Sequence, residues 1–151
     1  MYTRAALERC IGQSVGQSRW FTIHQHRINA FANVTEDHQF IHIDAEKAAS
    51  GPFGATIAHG FLTLSLLSAM LFDGGPQIEG EVMGVNYGMN KVRFLSPVRV
   101  GSRVRGNFTL HDVQTRENAL DTILDVTVEI EGQTKPALVV EWITRHYFGE
   151  T

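Results

Sequence analysis

A single cysteine, Cys10, among 151 residues excludes an intramolecular disulfide and a paired-cysteine metal site, and it suits a chain that works in a reducing compartment. Long apolar runs are missing too. None approaches the roughly 20 residues of a membrane span, and no basic stretch leading into an apolar one opens the chain. A soluble, cytoplasmic protein is expected. Positive charge is not in excess: 13 Lys and Arg face 16 Asp and Glu, for a formal charge of -3, which offers nucleic acid or an anionic membrane no electrostatic hold. A small-molecule partner is expected instead. There is no glycine-rich phosphate loop, dinucleotide fingerprint or G-x-S-x-G elbow, so ATP, NAD and serine-hydrolase chemistry are not indicated and no cofactor is expected. With no internal repeat, low-complexity tract or linker, residues 1–151 read as one domain, long enough to bury a core without disulfide or metal.

What is present is strongly patterned. Thr3 is placed to cap a short helix over Arg4 to Ile11, Trp20 to Ile23 reads as a strand, and the spacing of Ile28, Phe31 and Ala32 predicts a helix that runs out near Asn33. A loop from Thr35 to Ile43 follows. Asp44 then caps a short helix through Ala49, stopped by Gly51-Pro52. From Gly60 to Phe72 the chain is apolar nearly all round, which predicts one helix enclosed on most sides and ended by Asp73-Gly74-Gly75-Pro76. Everything after Pro76 reads as strand. Val82 to Phe94 is rich in β formers. Val104, Phe108 and Leu110 alternate with Arg103, Arg105, Asn107 and His111, and Leu124 to Ile130 alternate with acids and threonines. A Glu131-Gly132 turn predicts a hairpin with a last strand through Tyr147. A helix followed by antiparallel strands with one wet face is an α+β layout, a curled sheet wrapped around a central buried helix, which is the pattern of a hotdog fold.

Chemistry concentrates before and at the entrance of that helix. Asp37 and His42 are spaced so that a loop turning back can point a carboxylate and an imidazole into one cleft, where they can share and polarise a water; the structural alternative is a turn cap and a half-buried polar residue. Ala58-His59-Gly60 opens the apolar helix, where unpartnered amides and a glycine permit a thioester carbonyl to approach and its developing oxyanion to be held. Packing alone would also ask for glycine there. His38 and His42, with Asp37 or His59 as a third ligand, have a spacing compatible with metal, but the segment is not convincingly helical and no metal is expected. Glu36 reads as a solvated acid, and Thr63, Ser65 and Ser68 as hydroxyls bonding back within the helix. Lys91, Arg93, Arg99, Arg103 and Arg105 fit either carrier phosphates or a solvated sheet face.

These motifs together resemble the MaoC-like, (R)-specific enoyl-CoA hydratase family over nearly the whole chain. The family's signature of a small or acidic residue, Asp, x, Asn, Pro, an aliphatic residue and His stands here as Glu36-Asp37-His38-Gln39-Phe40-Ile41-His42, and its later His-Gly as His59-Gly60. The departure is Gln39-Phe40 in place of Asn-Pro, which removes a rigid turn. That variant, with Asn86-Tyr87 and the Asn90 to Phe94 strand, is similar to the single-hotdog, nodulation-protein-N-like subgroup. The resemblance implies Asp37 and His42 as the catalytic pair and the Gly60 amide as oxyanion donor. It further implies an acyl tail lying along the helix past Ser68 and Leu71, a homodimer with joined sheets, and water added across a trans-2-enoyl-CoA or related acyl thioester. An acyl-CoA thioesterase and a non-catalytic acyl-thioester binding protein are the competing expectations, since one fold hosts several activities.

Overall fold

The computed structural model describes residues 1–149. Its helices are α1 (Arg4–Glu8), α2 (Gln25–Thr35), α3 (Phe40–Ile43), α4 (Ala45–Ala49), α5 (Gly60–Ser65) and α6 (Leu67–Gly74). Its strands are β1 (Ser14–Gln17), β2 (Phe21–Thr22), β3 (Glu81–Phe94), β4 (Arg103–Thr115), β5 (Ala119–Ile130) and β6 (Leu138–Phe148). One antiparallel sheet runs in the order β1-β4-β5-β6-β3, with β2 also paired to β4. The long strands follow the alternation of the sequence. Val104, Phe108 and Leu110 on β4 and Leu138, Val140 and Trp142 on β6 are buried, and the β5–β6 hairpin has Val128 opposite Leu138. This curled sheet over a central helix is the hotdog layout expected of the sequence.

The structure differs from the sequence reading in several details, beginning with α1, which stops at Glu8 short of the expected Ile11. β1 escaped that reading because Ser-Val-Gly-Gln has no apolar alternation; it is held instead by pairing to β4. α2 continues to Thr35, and α3 occupies part of the stretch expected to be loop. The first half of β5, Ala119 to Leu124, is buried on both faces, so the sheet's outer face is not uniformly wet. Finally, the apolar run divides into α5 and α6 at Leu66, which keeps right-handed backbone (φ -70, ψ -12).

Those two helices bury one stripe, Leu62, Thr63, Leu67 and Met70, against the sheet, whereas Phe61 is 68% and Phe72 81% exposed. The expected enclosure on most sides is not achieved within one chain, because the sheet can cover only one flank of a helix. At its far end α6 presses directly on β1. A side chain at Gly74 would meet the backbone of Gln17, and one at Gly16 the backbone of Gly74, so both positions need glycine for this close approach. The Gly60 end of the helix pair is left beside the α2–α4 segment.

Candidate active site

Backbone geometry sets the Asp37 loop. Glu36 closes α2 in the left-handed conformation (φ 60, ψ 20), which is uncommon for a residue with a side chain and turns the chain sharply before Asp37. Asp37 Oδ1 accepts from the Gln39 amide at 3.3 Å, a local carboxylate turn that starts α3. His42 lies on α3, buried, and Asp44 ends the segment by capping α4 through the Lys47 amide at 2.9 Å. Gln25 of α2 clamps the whole piece: its Nε2 donates to the His42 carbonyl at 2.7 Å, and its Oε1 accepts from Thr56 Oγ1 at 2.5 Å.

The His42 ring has a defined proton. Its Nδ1 lies 2.7 Å from the Ile57 carbonyl, which can only accept, so Nδ1 carries the hydrogen and Nε2 presents a lone pair. Burial lowers the imidazole below its ordinary 6.5; the Ile57 bond opposes this, His59 adds to it, and Asp37 opposes it. His59 is stacked on His42, with ring centroids 3.7 Å apart and 22° between planes, and its Nε2 donates to the Asp37 carbonyl at 3.0 Å. One polar atom each from Asp37, His42 and His59 falls within 4.8 Å of the others. The structure therefore brings Asp37 and His42 together and adds His59, which the sequence reading treated only as a possible metal ligand and as the neighbour of Gly60. Gln25 and Thr56 had no sequence signal.

A metal does not suit this cluster. Stacked rings hold their in-plane lone pairs side by side, not toward a common point, and one nitrogen of each ring already donates to a carbonyl. His38 turns away to Asn33 Oδ1 at 3.1 Å.

Gly60 sits on the lip of a cleft of about 250 Å³, walled by Ile57, Ala58, Thr63, Phe94 and Val98 among others. A side chain at Gly60 would strike the Phe94 ring at 2.9 Å, so glycine here serves a close approach of that ring. Asp37 and His42 do not line this cleft; Ile57, whose carbonyl holds His42, does. Ser68 and Leu71 lie farther along the helix, in a separate recess between α6, β3 and β6. Three of the five basic residues are matched to acids on the sheet: Arg105 to Glu129 at 2.5 Å, Lys91 to Glu141 at 3.2 Å, and Arg103 to Glu131. That pattern is a charged sheet surface and not a phosphate cradle.

Comparison with known proteins shows the family and the fold. Residues 6–131 match the family described as MaoC like domain. The chain is 57% identical over 136 residues to nodulation protein N of Rhizobium leguminosarum bv. viciae, covering 89% of this chain and 84% of that protein. It is 49% identical over 143 residues to 3-hydroxyacyl-thioester dehydratase Z of Mycobacterium tuberculosis, covering 94% of both. The fold superposes on the MaoC-like dehydratase from Rhodospirillum rubrum with a TM-score of 0.76 at 17% identity, over 93% of this chain and 94% of the other.

Proposed function

The chain belongs to the MaoC-like dehydratase family, and from that premise we propose that it interconverts trans-2-enoyl thioesters and (R)-3-hydroxyacyl thioesters by addition or removal of water. The observation that carries this reading is the buried His42 ring, its Nδ1 held on the Ile57 carbonyl, with one ring nitrogen within 4.8 Å of a carboxylate oxygen of Asp37. In the hydration direction Nε2 takes one proton from a water while Asp37 accepts a hydrogen bond from the other. The hydroxyl adds to C3, and the imidazolium, stabilised by Asp37, returns the proton to C2 on the same face. One water is consumed and the protein ends as it began. The Gly60 amide, in the first turn of α5, polarises the thioester carbonyl so that charge gathering on its oxygen is held in the transition state. The acyl tail follows the helix toward Ser68 and Leu71.

The working protein is a homodimer joined along β3, with residues 1–151 of each copy acting as one domain in the cytoplasm. Supporting the dimer is a 14-residue edge strand whose Val82, Met83, Tyr87 and Phe94 are all exposed, since a long apolar edge left open invites pairing with another strand. The test of the reaction is loss of the enoyl absorbance of crotonyl-CoA and a longer enoyl-CoA. Wild type should consume them, while Asp37→Asn and His42→Ala should each lose about 10²–10⁴-fold in turnover with the fold intact. A near-wild-type rate in either variant would remove that residue from the mechanism. Release of free thiol from a saturated acyl-CoA would mark a thioesterase instead.

A further inference from the structure

The two stretches that meet at the site are cross-linked reciprocally. His42, at the end of the Asp37 segment, donates from Nδ1 to the Ile57 carbonyl at 2.7 Å, and His59, two residues beyond Ile57, donates from Nε2 back to the Asp37 carbonyl at 3.0 Å. The Ile57 amide adds a third bond, to the Ile41 carbonyl at 2.9 Å. Between these bonds the two imidazoles are stacked, and Phe31 packs on His59 with centroids 5.0 Å apart and 53° between planes.

Little else holds the acid and the base. The Asp37 side chain is more than half exposed, and among the described residues its carboxylate accepts only from the Gln39 amide, at 3.3 Å. α3 is four residues long with no side-chain cap, and Gln39-Phe40 gives it no rigid entry. The bond at Nδ1 fixes one atom of the His42 ring and leaves its plane free to swing about that contact; a flat ring at 3.7 Å removes that freedom. Packing alone does not call for histidine at position 59. The residue is buried, and its Nδ1 has no partner among the described residues, so a phenyl ring would fill the same place without an unpaired nitrogen. What histidine adds there is the bond to Asp37.

We propose that His59 is the positioning residue of this site: its Nε2–H anchors the Asp37 backbone and its ring face sets the plane of His42, so that carboxylate and imidazole meet one water at a fixed separation. It acts through those two groups and takes no proton itself. Because it directly precedes Gly60, it also ties the pair to the helix entrance where the thioester carbonyl would lie. A misplacement of about 1 Å can cost roughly 100-fold in rate, so a residue that touches no reacting atom can still govern turnover. The kinetic consequences rest on the thioester reading above; the clamp itself does not.

Two variants divide the role. His59→Phe keeps a ring in the stack and loses the donor, whereas His59→Gln keeps a donor of similar reach and loses the ring. With crotonyl-CoA each should lower kcat by about 10- to 100-fold and leave KM within about threefold. The loss should depend on the group served: His59→Phe should cost no more than about twofold further in Asp37→Asn, and His59→Gln no more than about twofold further in His42→Ala. Losses that multiply equally in every background would make His59 a packing residue and overturn the proposal. The second part needs no turnover. In protein with isotope-labelled histidines, assigned with His42→Ala and His59→Phe, the ring N–H groups of His42 and His59 should each give a resolved, slowly exchanging resonance in wild type. That of His42 should persist in His59→Phe and broaden away in His59→Gln. Wild-type ring protons lost to exchange, or a His42 resonance unmoved in His59→Gln, overturn the clamp whatever the rates show. Resolved ring protons with that variant pattern, in a protein that hydrates no enoyl thioester, sink the thioester reading and leave the clamp standing.

Discussion

At His42, burial favours the neutral imidazole from which the proposed chemistry starts, and the Ile57 carbonyl chooses which nitrogen carries its proton. Because burial lowers its pKa, the imidazole stays neutral further into acid than a free histidine. The acid limb of kcat/KM should therefore have its midpoint below 6.5; a midpoint above 6.5 would mean that another group controls the rate. Stability follows the same sign. The folded-state pKa is the lower one, so the contribution of neutral His42 is complete above 6.5 and is lost as pH falls from there toward the folded value. Gly60 makes a different prediction. In Gly60→Ala the new methyl must displace the half-exposed Phe94 ring, which can swing outward, so the stability change should be about 1 kcal/mol or less while kcat/KM drops as the cleft narrows. Unchanged turnover of a short enoyl-CoA would remove the Gly60 backbone from the site. The spacing of Asp37, His42 and Gly60 was legible in the sequence. The stacking of His59 on His42 was not, since they lie 17 positions apart and the gap is closed by the Ile57 backbone bonding to Ile41 and His42 of α3.

Elements show where local pattern stops being sufficient. β4 and β6 could be read because each has one buried face, whereas the start of β5 could not: Asp121 looks like an outward acid but is 1% exposed. It is held by Arg145 at 2.6 Å and by Arg116 at 2.9 Å, and the Arg145 bond, aided by Arg116 against burial, keeps its carboxyl below the ordinary 3.8. Removing the charge weakens its bonds to two arginines that water still reaches, so Asp121→Asn should cost about 1–2 kcal/mol in urea unfolding at pH 7. That contribution is present above 3.8 and disappears as pH falls through the lower folded value, so the two proteins should converge in stability at strongly acidic pH. An equal gap at pH 7 and in strong acid would deny the ion pairs this role. The four residues of α3 carry no cap and no periodicity of their own, and it is Gln25 and Ile57 that hold the helix in place.

For the whole molecule, the apolar faces of residues 60–72 and the apolar edge of β3 are what the proposed second copy would cover. Covering β3, and with it the exposed flank of the helices at Phe72, would complete the enclosure that one chain leaves half built. Light scattering at micromolar concentration should give about twice the chain mass of 16.8 kDa, and Met83→Lys with Tyr87→Lys should yield folded monomer, because like charges then face each other across the paired edge. Wild type measured as a monomer would end the dimer proposal.

By itself the sequence determined the features whose pattern is local: the alternating strands, a helical apolar stretch entered at His59-Gly60, and the short spacing from Asp37 to His42. Those signals depend on residues a few positions apart. Only the tertiary structure decided which nitrogen of His42 carries its proton and where Asp121 is buried. Each of these depends on which groups meet after strands and helices far apart in sequence have packed, and on how much water that packing leaves between them.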